Sequence, residues 1–156
     1  MPALERAASM GEDARVMSIL AAGMGLKVPL EDLDLKKWYN YPKVQAMCGV
    51  YNDIMVRIQS EKHPQIAFIH INPGLVDTPG NKTNVLARIL SLLAWYWTKP
   101  VRQAAQILLY PLLSSEDFRK GGHWLSPTAD KHTLSSNITT EVAQKVWDYS
   151  VDRTKM

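Results

Sequence analysis

The sequence predicts an α/β fold in which a parallel sheet is covered by helices on both faces. Three apolar runs of about strand length, at 14–22, 65–71 and 121–125, are continuous rather than alternating. That pattern is typical of parallel strands buried on both faces. Segments with helical periodicity lie between these runs, so strands and helices alternate along the chain. With 156 residues, 46% of them apolar and 21% charged, residues 1–156 are predicted to form one globular domain.

The first half of the chain is predicted to contain a helix end, two strands and one long helix. Residues 1–10 have helical spacing, and the strand at 14–22 follows. After a polar connection at 27–37, a helix from Pro42 to Ile58 carries one apolar stripe, and Pro42 suits its first turn. The stripe consists of Met47, Val50, Tyr51, Ile54, Met55 and Ile58. The helix is expected to end near His63 and Pro64, before the strand at 65–71.

The second half is predicted to contain three helices and one strand. Helical patterns cover 85–97 and 101–113, and a short strand at 121–125 lies between glycine and Ser126-Pro127. A terminal helix spans 140–152, with Thr139 or Thr140 as its N-cap and Glu141 in its first turn.

Composition and charge argue against several classes of function. The 18 basic and 15 acidic residues are scattered, whereas nucleic-acid binding requires a concentrated basic face. The only cysteine, Cys48, cannot form an internal disulfide and suits a reducing compartment, so the expected location is the cytoplasm. The N-terminal residues 1–15 carry charges where a signal peptide needs an apolar run. The four histidines show no metal-ligand spacing, so no metal site is predicted, and His70 is expected to be a satisfied core histidine.

One apolar segment, ILSLLAWYWT at 89–98, has ten residues, too few for the roughly 20 that a membrane-spanning helix needs. No transmembrane segment is therefore predicted. We interpret the segment as a buried or substrate-covering helix. The alternative is weak contact with a membrane surface or a partner through the aromatic residues 95–97.

The residues 72–80, NPGLVDTPG, are the strongest local indication of a binding site. They directly follow the second predicted strand, and open α/β sheets bind ligands at the carboxyl ends of their strands. Gly74 permits close approach of the backbone to a ligand, and Pro73 fixes a bend. The alternative is a Pro/Gly segment that only terminates the strand.

Tyr39 and Lys43 form a candidate acid/base pair. They are four residues apart at the head of the long helical pattern, so both side chains are expected to point the same way. A nearby ammonium stabilises a phenolate and makes a tyrosine usable as a general acid or base near neutral pH. The spacing is common by chance, and the alternative is an exposed aromatic residue beside a surface lysine.

Taken together, these features resemble the C-terminal portion of the short-chain dehydrogenase/reductase family, in particular its fungal-type members. The pattern is a strand that runs into Pro-Gly-x-Val-x-Thr, preceded by Tyr-x-x-x-Lys. The connection at 32–39 and the segment at 99–113 extend the resemblance. It implies a partial Rossmann-like, doubly wound parallel sheet of about three strands with flanking helices. It also implies a truncated domain in which residues 83–98 form a lid over the substrate.

The resemblance also implies ligands and roles. Tyr39 is expected to exchange a proton with the substrate oxygen, and Lys43 to assist it and to hold the nicotinamide ribose. Pro73, Gly74, Val76 and Thr78 would line the nicotinamide. The implied function is an NAD(P)-dependent oxidoreductase that acts on a carbonyl or hydroxyl of an apolar small molecule, in secondary metabolism. The choice between NAD and NADP stays open.

Two departures from the family pattern keep a second function open. The family's catalytic serine would fall at Leu20 or Ala21, and no serine lies between Ile19 and Lys27. Ser18 is close in sequence but is expected to point elsewhere because side chains alternate along a strand.

The second departure concerns the pyrophosphate. The glycine-rich turn that binds it belongs to the family's first strand–helix unit, which this chain does not contain, and no helical pattern follows Gly23 and Gly25. The alternative function is therefore a pseudo-enzyme remnant that acts as a binding or assembly module. The first strand would expose its edge, which favours a homodimer.

Overall fold

The computed structural model describes residues 1–37, 39–78, 98–113 and 116–155. The helices in this part of the chain are α1 (Pro2–Ser9), α2 (Tyr41–Lys62), α3 (Val101–Leu113), α4 (Thr140–Thr154) and a short 3₁₀ helix (Glu116–Phe118). The strands are β1 (Arg15–Ile19), β2 (Ala67–Ile71), β3 (Gly121–Leu125) and β4 (Lys131–His132). The predicted α/β class with a parallel sheet and flanking helices is confirmed, in agreement with a partial Rossmann-like fold.

The four strands form one sheet in the order β1-β2-β3-β4. The first three strands run parallel, with Ser18 opposite His70 and His70 opposite Trp124. The fourth runs antiparallel to β3 and was missed, so the prediction of about three strands was one short. A strand of two residues is too short to show any periodicity in the sequence.

Helices cover both faces of the sheet. On one face α2 packs against β2, β3 and α4, and the core between these helices contains Met47, Val50, Ile54, Ile58, Ala143 and Val146. On the other face Ile69, Ile71 and Leu125 form a core with Phe118, and Leu108 of α3 packs against it. The central strand β2 is buried along its whole length because it lies between two neighbouring strands and two layers of helices.

Local signals fix the ends of the helices. Asn40 is the N-cap of α2, and its side-chain oxygen accepts a hydrogen bond from the main-chain N–H of Lys43 at 3.3 Å. The helix ends at Lys62, directly before His63 and Pro64. At α4, Thr139 is the N-cap and accepts a hydrogen bond from the N–H of Val142 at 3.3 Å. Of the two cap residues considered from the sequence, the structure selects Thr139.

Some predictions fall on other parts of the chain. The helix expected at 85–97 and nearly all of the lid expected at 83–98 lie outside the described residues, as do the aromatic residues 95–97. None of the described helices combines the length and the apolar character that crossing a membrane would require.

Candidate functional site

Three loops meet at the carboxyl edge of the parallel sheet. They follow β1, β2 and β3 and cover residues 20–26, 72–78 and 126–130. Since β2 lies between β1 and β3, its loop has the other two loops as neighbours. This edge is where open α/β sheets bind ligands, and it contains the predicted Pro-Gly segment.

The loop after β2 is shaped by its own side chains. The N–H of Asn72 donates to the carbonyl oxygen of Leu125 at 3.0 Å, and its side-chain oxygen accepts the N–H of Gly74 at 2.9 Å. Gly74 has a φ of +68°, in the region that favours glycine. A Cβ atom at this position would lie 3.0 Å from Cβ of Pro127. The glycine is therefore required by close packing against the loop after β3 as well as by its backbone conformation.

Lys99 joins the loops after β2 and β3. Its N–H donates to the carbonyl of Leu75 at 2.8 Å, and its carbonyl accepts the N–H of Asp77 at 2.9 Å, in a parallel bridge opposite Val76. The ammonium group of Lys99 donates to the carbonyl oxygen of Pro127. Lys99 thus bonds to the Pro-Gly segment through its main chain and to the loop after β3 through its side chain. The sequence analysis did not select Lys99, because no local pattern links it to residues more than 20 positions earlier.

The loop after β3 is held by the buried side chain of Ser126. Its hydroxyl oxygen accepts the N–H groups of Thr128 and Asp130, each at 3.1 Å. The N–H of Ser126 donates to the carbonyl of Asp130 at 2.9 Å. These bonds fix the turn that presents Pro127 to Gly74 and Lys99.

The loop after β1 rests directly on helix α2. A Cβ atom at Gly49 would lie 2.3 Å from the carbonyl oxygen of Ala21, so only glycine allows this approach. The N–H of Gly23 donates to both carboxylate oxygens of Asp53, at 3.1 and 3.4 Å. Helix α2 therefore positions this loop by its close contact at Gly49 and by the buried carboxylate of Asp53.

Asp53 also forms a buried pair with His70. The side chains of His70 and Asp53 are 0% and 2% exposed, and Nδ1 of the histidine lies 2.6 Å from Oδ1 of the aspartate. Within the described residues, Nε2 of His70 has no hydrogen-bond partner. The sequence analysis correctly placed His70 in the core, but only one of its two ring nitrogens is satisfied. The sequence signal for this pair was Asp53, an acidic residue among the buried positions of α2. The sequence analysis did not use it.

Tyr39 and Lys43 both lie around the start of α2, but one helical turn does not connect them. The helix begins at Tyr41, and Asn40 in front of it is extended, so Tyr39 precedes the helix. The expectation that both residues would lie on one helix was wrong, because the N-cap Asn40 falls between them. Tyr39 is 73% exposed, and Lys43 is also exposed. At 1.5 Å per residue, Lys43 lies about 9 Å nearer the N-terminus of α2 than Gly49, the residue that contacts the loop after β1.

The other predicted site residues lie together on one loop. Pro73, Gly74, Val76 and Thr78 are all partly buried and follow the carboxyl end of the central strand. Helix α2 leads from the end of β1 back to the start of β2, so its first residues lie toward the same edge of the sheet. The structure therefore places both motifs at one edge, while their roles remain predictions.

The hydroxyl of Ser18 is turned away from this edge. It donates to Oδ1 of Asn52 at 2.9 Å, on the face covered by α2. The expectation that Ser18 would point elsewhere is confirmed, and Leu20 and Ala21 provide no hydroxyl at the end of β1.

A second phenol, Tyr51 in the middle of α2, has a structural role. The hydroxyl of Tyr51 donates to the carbonyl of Leu33 at 2.7 Å, which ties the connection at 27–37 to the helix. Burial, with a further contribution from the carboxylate of Asp32, raises the pKa of Tyr51 to about 12. Tyr51 therefore stays protonated at neutral pH and is unsuited to acid/base catalysis.

The same connection borders an open depression of about 520 Å³, lined by 27–32 and Lys37. None of the predicted site residues lines this depression. We place the candidate site at the strand ends instead, since the depression contacts none of the three loops after the strands.

Comparison with known proteins gives one informative similarity. The chain is 29% identical over 108 residues to "Oxidoreductase andH" of Emericella variicolor. The similar region covers 65% of this chain but only 31% of that protein, so the chain spans about a third of its relative. No protein-family model matches the chain.

Proposed function

We propose that this chain belongs to an oxidoreductase that uses NAD or NADP to interconvert a carbonyl and a hydroxyl on an apolar small molecule. The observation that carries the proposal is the Pro-Gly loop at the carboxyl end of the central parallel strand. There Gly74 has a positive φ, and the loop is held against its neighbour by Lys99. The similarity to a protein named as an oxidoreductase supports the same reaction class. Membership of the short-chain dehydrogenase/reductase family is part of the proposal.

The described residues fit one end of a dinucleotide better than the other. The loop with Pro73, Gly74, Val76 and Thr78 supplies partly buried backbone at the strand end, as a nicotinamide would require. A pyrophosphate favours the N-terminus of a helix that follows a glycine turn. Gly23 and Gly25 have positive φ, but no helix forms among the described residues between Ala21 and Asn40. We therefore assign this chain the nicotinamide end of the cofactor.

In the proposed reaction, the bound dinucleotide supplies or accepts the hydride at the substrate carbon. Tyr39 donates a proton to the carbonyl oxygen during reduction and takes it back during oxidation. Lys43, on the first turn of α2, places a positive charge near that phenol and holds the nicotinamide ribose. Because Tyr39 precedes the helix and is exposed, a substrate would have to cover it and exclude water there.

The first test is a titration of the purified chain with NADPH and with NADH, followed by nucleotide fluorescence. The proposal predicts saturable binding of at least one nucleotide, with Kd in the micromolar range, about −8 kcal/mol. Replacement of Thr78 by valine should weaken binding by about 1 kcal/mol, or roughly fivefold, because a hydroxyl hydrogen bond is lost. A folded chain that binds neither nucleotide up to about 1 mM would contradict the proposal.

A matched pair of variants tests the assignment of the acid/base group. Tyr39→Phe should reduce carbonyl reduction by at least about 100-fold and leave nucleotide binding unchanged. Tyr41→Phe is the control, since Tyr41 lies two residues away and is 65% exposed. Equal effects of the two substitutions, or none from either, would contradict the role of Tyr39.

One observation favours a second candidate function. In this alternative the chain is a pseudo-enzyme remnant that catalyses no reaction and acts as a binding or assembly module. Leu20 and Ala21 stand where the resemblance expects a catalytic serine, and the hydroxyl of Ser18 is bonded to Asn52. In this case the chain would fold and bind no nucleotide, and Tyr39→Phe would change nothing.

A further inference from the structure

Two buried side chains link strand β2 to the loop after β1. Nδ1 of His70, in β2, lies 2.6 Å from Oδ1 of Asp53 in α2. The other carboxylate oxygen, Oδ2, accepts the N–H of Gly23 at 3.1 Å. Each oxygen thus has its own nearest partner, so the two contacts together fix the rotation of the carboxylate. The indole N–H of Trp124 in β3 also donates to the main-chain carbonyl of Asp53, at 3.3 Å.

Both ends of this link lie close to the candidate site. His70 is two residues from Asn72, where the Pro-Gly loop at 72–78 begins. Gly23 belongs to the loop after β1, which is a neighbour of the Pro-Gly loop because β1 pairs with β2. The pair of Asp53 and His70 therefore ties the strand that carries the Pro-Gly loop to the loop beside it.

The two flanks of the Pro-Gly loop differ in what they contact. Toward β3 the flank is filled by direct packing, since a Cβ atom at Gly74 would lie 3.0 Å from Cβ of Pro127. The ammonium group of Lys99 also donates to the carbonyl of Pro127 on this side. Toward β1 the neighbour is the loop that Asp53 holds. A nicotinamide on the Pro-Gly loop would then have the loop after β1 as the opposite wall of its site.

Stability alone does not account for this pair. The side chains of His70 and Asp53 are 0% and 2% exposed, and Nε2 of His70 has no hydrogen-bond partner among the described residues. A buried polar atom without a partner lowers stability. Apolar residues of similar volume often replace a buried polar pair with no loss of stability or with a gain. What two apolar residues cannot supply is a fixed acceptor for the N–H of Gly23.

We propose that Asp53 and His70 are positioning residues of the candidate site. Asp53 holds the main chain of the loop after β1 through the N–H of Gly23, and His70 holds the carboxylate in the orientation that accepts this N–H. Neither residue acts on a ligand directly, because both side chains are buried. The proposal rests on the proposed function for the identity of the ligand, NADH or NADPH, whereas the hold on the loop is independent of that function.

The loop after β1 has a second, separate attachment. Nδ2 of Asn137 donates to the carbonyl of Gly25 at 2.7 Å. This bond lies two residues beyond Gly23 and involves neither Asp53 nor His70. It holds the far end of the loop when the pair is changed, so the expected effect of changing the pair is local to the main chain around Gly23.

Four variants separate a positioning role from a purely structural one. The double variant Asp53→Leu/His70→Leu fills the space with apolar side chains and removes the acceptor. His70→Asn is the conservative variant, because Nδ2 of asparagine is as many bonds from Cα as Nδ1 of histidine and can donate to Asp53. Asp53→Asn keeps the shape and offers Gly23 a neutral acceptor, in case the double variant does not fold. Ile54→Ala is the matched control, since Ile54 is the next residue of α2, is 0% exposed and leaves a destabilising cavity when truncated.

The first measurement is native-state amide hydrogen exchange followed by NMR and read at Gly23. The double variant should raise the exchange rate at least about tenfold, because a hydrogen bond to a charged group is lost. Asp53→Asn should raise it roughly fivefold, since a neutral acceptor binds the N–H more weakly. His70→Asn and Ile54→Ala should stay within about twofold of the wild-type rate. Wild-type exchange in the double variant would overturn the proposal, as would equal exchange in His70→Asn and the double variant.

The second measurement is titration of each variant with NADPH and with NADH. Loss of a preorganised wall should raise the nucleotide Kd of the double variant about tenfold. His70→Asn and Ile54→Ala should leave this Kd within about twofold. A double variant with faster exchange at Gly23 but an unchanged Kd would overturn the role of the pair at the site. If the wild-type chain binds neither nucleotide, the proposed function fails instead, and exchange at Gly23 still decides whether the pair holds the loop.

Discussion

The buried pair of Asp53 and His70 allows a quantitative prediction. The carboxylate of Asp53 has two hydrogen-bond partners, the imidazole of His70 at 2.6 Å and the N–H of Gly23 at 3.1 Å. Replacement of His70 by leucine removes the first and leaves a carboxylate that is 2% exposed with the Gly23 N–H alone. Breaking a buried pair in this way costs about 3–5 kcal/mol. Since domains are stable by only about 5–15 kcal/mol, this is a large fraction of the total.

The assay is reversible urea unfolding followed by far-ultraviolet circular dichroism. We expect His70→Leu to lower the free energy of unfolding by about 3–5 kcal/mol, or the melting temperature by roughly 6–20 °C. Asp53→Leu should cost a similar amount, since it also leaves the Gly23 N–H without its acceptor. The double variant should cost less than the sum of the two, with a coupling energy of about 2 kcal/mol or more.

The pair of Glu5 and His63 is a control made of the same kinds of side chain, a carboxylate and an imidazole. The two side chains are also close, at 3.0 Å, but they are 49% and 24% exposed. Glu5→Gln should therefore change stability by no more than about 1 kcal/mol. If His70→Leu and Asp53→Leu each cost less than about 1 kcal/mol and their effects add, burial does not strengthen this pair and our reasoning is refuted.

Two further predictions concern packing and pH. Gly49→Ala should lower the free energy of unfolding by about 2 kcal/mol, although alanine favours helix, because its Cβ would meet the carbonyl of Ala21 at 2.3 Å. His123 has a pKa below its ordinary value of 6.5, mainly because of burial and also because Lys131 and Arg15 are near. The unfolded state therefore binds a proton more readily, so stability should fall as the pH falls through 6.5. His123→Gln should reduce that slope in urea unfolding measured across the pH series.

Each of these two predictions has a control on the same molecule. Cys48→Ala changes an exposed position next to Gly49 and should alter stability by less than about 0.5 kcal/mol. A Gly49→Ala variant as stable as Cys48→Ala would show that the loop after β1 can move away from α2 at little cost. His132 is exposed, so His132→Gln is the matched control for removal of a histidine. An equal change of slope in both histidine variants would contradict the assignment to His123.

Local sequence patterns predicted the regular elements well. The expected bounds of α3 and β3 match the structure at both ends. The predicted core stripe of α2 contains four of its buried apolar residues, Met47, Val50, Ile54 and Ile58, and misses Val56. These elements depend on periodicity and on caps, which neighbouring residues encode. The error at Tyr39 has the same origin. Asn40 is a strong N-cap that starts the helix after the tyrosine, and the motif spacing was given more weight than the cap.

The sequence alone thus determined the α/β class, the parallel strands and the location of a Pro-Gly loop at the end of one of them. Only the tertiary structure decided what holds that loop and what the fold leaves exposed. Lys99 meets Pro127 across 28 positions, and Arg15 meets Pro111 across 96. Periodicity reports which side of an element is buried, but not which distant residue covers it. The partners of Asp53 and Lys99 follow from the packing of whole elements, which no local pattern contains.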